Sequence, residues 1–189
     1  MKKLLLLSLT MLLPILIHAD GIEINGIYYN LITKAKQAEV TSNPSKYSGD
    51  IKIPESIEYD GSKYDVTSIK GGAFEDCAEL ISISIPSSIT SIGEYAFSRS
   101  SNLTSVYIAD LSMWCKTKFG NNESSPFAFA QHIYINGEEV KDLVIPTGVT
   151  SIPDYAFYDC VQKTVDIHPP KTGISVHFSD SFILVALQI

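Results

Sequence analysis

One pattern restricts this chain more than any other: a short phrase that returns. Residues 66–69 read VTSI, residues 89–92 read ITSI and residues 149–152 read VTSI. Each is followed by an Ala-Phe pair, at Ala73-Phe74, Ala96-Phe97 and Ala156-Phe157. The first two copies lie 23 residues apart, and Leu80, Ile83 and Ile85 are answered by Leu103, Val106 and Ile108. A unit this short cannot close a hydrophobic core alone, so its apolar side chains must be covered by the same side chains of the next unit. Stacking is therefore a requirement of the pattern.

Within a unit, L-x-x-I-x-I reads as a strand, because alternation puts Ile83 and Ile85 on one face and Ser82 and Ser84 on the other. The prolines of IKIP, ISIP and LVIP (Pro54, Pro86, Pro146) end the strand at a corner, where a missing amide hydrogen costs least. VTSI makes a second short strand, and each Ala-Phe pair is expected in one helical turn that plugs the unit. These residues resemble the BspA-like leucine-rich repeats of secreted and surface proteins of Bacteroides-type bacteria, over roughly residues 21–165. The resemblance implies a β-rich leucine-rich-repeat solenoid of α/β type with short helical turns. It also implies binding of other proteins, with adhesion to host proteins among some members, and no catalytic residues.

Before the repeats, Lys2 and Lys3 precede an apolar run from Leu4 to Ile17, and Ala19 stands before Asp20. This is the form of a signal peptide cut after residue 19, with a run shorter than the ~20 residues a spanning helix needs. The expectation is a secreted or cell-surface protein with no membrane span after cleavage. Without those two lysines, 12 basic residues stand against 21 acidic ones, a formal charge of −9. No basic cluster offers phosphate contacts, so nucleic acid is excluded as a partner. Extracellular or host proteins are expected instead.

Residues 20–65 read as an N-terminal β cap and first degenerate coil. IEINGIYY pairs two strands across Asn25-Gly26, the dipeptide of a type I′ hairpin. Lys34 to Val40 gives a further strand, Tyr47 to Ile53 a first repeat-like strand, and Asp60-Gly61 a turn. Residues 66–167 carry the repeats, with an insert at about 109–139. In it, 111–119 is expected as a short helix with Leu111, Trp114 and Cys115 on one side, 120–125 as a polar loop, and HIYINGEEV as a second Asn-Gly hairpin. Val140, Leu143 and Ile145 then restore the pattern. The third copy departs after Cys160, and 168–189 reads as a tail without repeat. Its FILVALQI end is either a capping strand or the end of a truncated or frame-shifted gene, and the missing polar cap favours the latter.

Candidate chemistry is sparse. Cys77 and Cys160 share a repeat position that Ser100 fills between them, too far apart for a bridge, so buried thiols are expected. Cys115 as a nucleophile would need a base such as His132. His132, His168 and His177 lack metal-ligand spacing, and no cofactor is implied. Asn102-Leu-Thr and Asn122-Glu-Ser match glycosylation acceptors. The remaining candidates are the outward residues of the strand column: Asp50, Lys52, Ser82, Ser84, Ser105, Tyr107, Tyr134 and Asp142. The sequence thus points to a non-enzymatic protein-binding module. The alternative is a structural piece of a larger repeat protein without binding of its own.

Overall fold

The computed structural model describes residues 21–140, 142–159, 166–168 and 177–178; the leader expected at 1–19, Cys160 and FILVALQI lie outside them. The chain opens with β1 (Ile22–Ile24), β2 (Ile27–Ile32) and β3 (Gln37–Val40), which pair antiparallel in that order. The β1–β2 turn places Asn25 and Gly26 at φ 53° and 81°, both left-handed as a type I′ turn demands. Next come β4 (Ser48–Lys52), β5 (Ser56–Tyr59), β6 (Ser62–Ile69), β7 (Glu79–Ile85), β8 (Ser91–Ile92) and β9 (Ser105–Ile108). After the one-turn helix α1 (Leu111–Trp114) follow β10 (Lys118–Phe119), β11 (His132–Ile135), β12 (Glu138–Glu139) and β13 (Asp142–Val144). The last are β14 (Ser151–Ile152), β15 (Asp166–His168) and β16 (His177–Phe178).

Two parallel ladders organise these strands. One runs β3-β6-β8-β10, with Ile69, Ile92 and Phe119 in register, and β2 and β1 extend it beyond β3. The other runs β4-β7-β9-β11 and ends on β12, which pairs antiparallel to β11. β13 pairs with β15 and β14 with β16, both parallel. Repeated residues do cover one another: Leu80, Ile83, Ile85, Leu103, Val106 and Ile108 are all buried, none more than 4% exposed. The rings follow suit. Tyr47 and Phe74 lie 4.7 Å apart, Phe74 and Phe97 5.1 Å and stacked with nearly parallel planes, and Phe127 and Phe157 5.9 Å, all between ring centroids.

Three expectations need correction. The Ala-Phe segments are not helical turns. Amides of Ala73, Glu75 and Cys77 bond three residues back, to Lys70, Gly72 and Phe74, whereas those of Gly72, Phe74 and Asp76 reach across to Glu94, Ala96 and Ser98 of the next unit. A helix would spend every amide within its own segment; here alternate amides stitch neighbouring units. Left-handed residues at Gly72, Tyr95 and Tyr155, and again at Asp76, Arg99 and Asp159, make the alternation possible.

Residues 109–139 are also more than an insert. The helix stops at Trp114, and Lys118-Phe119 supply a rung of the first ladder 27 residues after Ser91-Ile92. β11 supplies the matching rung of the second. Asp110 sets the helix start, its carboxylate accepting from the amides of Ser112 at 2.7 Å and Met113 at 3.1 Å. The stretch expected as a polar loop holds a 3₁₀ turn, Asn122–Ser124. Finally, the tail read as free of repeats contributes β16, with Phe178 beside Ile152. On these rungs pairing survives although the letters change, because a parallel rung is made by backbone hydrogen bonds.

Candidate protein-binding face

Parallel register lines up the outward residues of the second ladder in two columns. One is Asp50, Ser82, Ser105 and His132; the other is Lys52, Ser84, Tyr107 and Tyr134. Seven of the eight residues singled out as a binding face, all but Asp142, therefore share one sheet face. The Ser82 hydroxyl donates to Asp50 Oδ1 at 2.6 Å, so the first column is stitched between units. In the second, Tyr107 and Tyr134 stack with ring centroids 4.4 Å apart and planes 14° apart. Tyr107 keeps 36% of its surface exposed and Tyr134 is half-buried. Two rings that cover each other's faces are rigid, and their hydroxyl edges remain available to a partner.

Asp142 departs from the expected column. It belongs to β13, whose partner is β15, and β12 stands beside β11 where a further rung of this ladder would go. The hairpin at Asn136 and Gly137, φ 53° and 84°, turns the chain back and brings Glu139 opposite Tyr134. That fold-back adds a residue the sequence reading had not placed on the face. His132, not among the residues expected on the face, sits on β11 with Nδ1 2.6 Å from Glu139 Oε1. The signal is legible: an Asn-Gly hairpin pairs residues equidistant from its turn, so HIYINGEE sets Glu139 opposite Tyr134, and His132, two residues along the same face, is its diagonal neighbour. The Tyr134 phenol is held above its ordinary value, first by partial desolvation, then by the Glu139 carboxylate and Tyr107.

Beside the second column runs a shallow groove of about 310 Å³ along the proline corners, lined by Lys52, Pro54, Glu55, Pro86, Tyr107 and Asn136 among others. Away from it, Cys115 is 3% exposed and burial pushes its thiol up to about 12, with Asp110 adding in the same direction. A thiolate is thus disfavoured there. His132, the base such a nucleophile would need, engages Glu139 on the exposed face. Cys77 is likewise a buried thiol raised by desolvation, accepting from the Tyr47 amide at 3.4 Å. Among the described residues no helix is long and apolar enough to cross a membrane.

Residues 128–183 match the family described as a BspA type leucine rich repeat region of six copies. The crystal structure of a leucine rich cell surface protein from Faecalibacterium prausnitzii is similar at TM-score 0.54 and 23% identity, over 85% of this chain and 43% of that one. A leucine-rich repeat protein from Bacteroides capillosus is similar at TM-score 0.52 and 22% identity, over 78% and 97%. The chain thus spans less than half the length of the Faecalibacterium protein. At these identities the likeness speaks for the fold alone. No curated protein matches the chain. In the matched region, and in the repeats laid out above, this chain is similar to the BspA-like leucine-rich repeat proteins.

Proposed function

We propose that the protein is a secreted or surface-exposed solenoid that binds other proteins through the outward face of its second ladder, in adhesion or host-protein interaction. The observation that carries this reading is the Tyr107–Tyr134 stack, accessible at the end of a column that begins with Lys52 and Ser84. Tyrosine offers amphipathic contact area at low entropy cost, and pre-stacking lowers that cost further. In this reading the β1–β2 hairpin is the N-terminal cap of the solenoid, and the acidic balance of the chain favours partners with basic patches.

The test is capture of residues 20–189 on immobilised extracellular matrix and plasma proteins, with and without Tyr107→Ala and Tyr134→Ala. Binding that falls at least about tenfold in the double variant, with an unchanged melting curve, supports the reading. Capture that ignores both substitutions rejects this face.

A further inference from the structure

The two ladders do not end together. The first continues past β3 through β2 and β1, whereas the second stops at β4, which among the described residues pairs with β7 alone. The amide of Ile53 donates to Ser84 at 3.1 Å, so by strand alternation Ile51 and Ile53 point their backbone groups at β7. Asp50 and Lys52 therefore aim theirs outward. The inward column shows the same break: Ile83 and Val106 are fully buried and Ile133 is 3% exposed, but Ile51 at the head of that column is only half-buried. On the longer ladder, Ile22 and Ile24 of β1 are half-buried too, packed at the margin of the core.

We infer that β4 is a strand-addition site for an extended segment of a partner protein, in which an apolar residue opposite Ile51 is flanked by a basic residue opposite Asp50 and an acidic residue opposite Lys52. Backbone bonds to Asp50 and Lys52 supply affinity, and the cross-strand charges supply selection. The apolar residue extends the cover that Ile83 and Val106 enjoy and that Ile51 lacks. The site is short by construction. Between Gly49, at φ 66°, and Asp50 the register with β7 jumps from Leu80 to Ser82, leaving Ile81 of β7 as the extra residue of a bulge and confining regular pairing to Asp50–Lys52. Such a break, with charges on both sides, keeps the edge from indiscriminate pairing. This edge shares Asp50 and Lys52 with the face proposed above but not the tyrosine stack, so Tyr107→Ala distinguishes failure of one from failure of the other.

The probe is a fluorescent seven-residue peptide with a central Lys-Ile-Glu, titrated into residues 20–189 and followed by anisotropy. Saturable binding is expected in the wild type and in Tyr107→Ala. Lys52→Pro removes an amide that points away from β7, and should weaken the peptide roughly fivefold or more without lowering the melting temperature. If that variant fails to fold, Asp50→Lys serves in its place; it should weaken Lys-Ile-Glu and shift preference to a Glu-Ile-Glu peptide. Three results would each overturn the inference: no binding to the wild type, equal binding to these variants, or a wild-type chain that sediments as a dimer dissociated by Lys52→Pro, which would give the edge to a second copy.

Discussion

Gly72, Tyr95 and Tyr155 hold one repeat position at φ 66°, 58° and 64°. Glycine takes that conformation without strain, whereas a side chain there crowds the following carbonyl. Gly72→Ala should therefore lower stability by about 1 kcal/mol, and Tyr95→Gly should raise it, both read from chemical denaturation. A second residue-scale test concerns Asp76. Arg99 donates to its carboxylate and holds it below the ordinary range. A carboxyl depressed in the folded state adds stability above its unfolded pKa and loses it as pH falls through the folded value. The gap in melting temperature between wild type and Asp76→Asn should therefore be present at neutral pH, close as the solution is acidified below about 4, and shrink with salt.

At the scale of elements, Phe97 is fully buried and stacked on Phe74, so Phe97→Ala should cost about 3–5 kcal/mol, measured by urea unfolding. How far the elements were legible follows from what each one depends on. Ladders and hairpins rest on local rules: Ile-x-Ile alternation set the inward column, and Asn25-Gly26 and Asn136-Gly137 fixed two turns. The binding face came with them, since Ser84, Tyr107 and Tyr134 share a column once register is known. What escaped was carried by backbone or by distance in sequence. Phe119 and Phe178 fill isoleucine positions on rungs spaced at 27 and 26 residues, so a search for 23 passes over them. Trp114 Nε1 donates to the Ala156 carbonyl at 2.8 Å, a contact over 42 residues that no local pattern announces. Asp142 was placed on the column because its letters fit, yet β12 stands beside β11 instead.

For the whole molecule, the decisive idea is that like positions of successive units lie one above another, including the unit hidden in residues 109–139. Asp50, Ser82, Ser105 and His132 form one column of four strands, which spans three steps of about 4.8 Å, or roughly 15 Å between the outer backbones. Spin labels at Asp50→Cys and His132→Cys, in a chain whose native cysteines are replaced by serine, read that separation directly. Stacked rungs give a narrow distribution at roughly 15–20 Å, allowing for the label arms. A broad distribution centred beyond about 30 Å would mean that the chain between β9 and β11 loops away from the ladder, and the shared face would be lost with it.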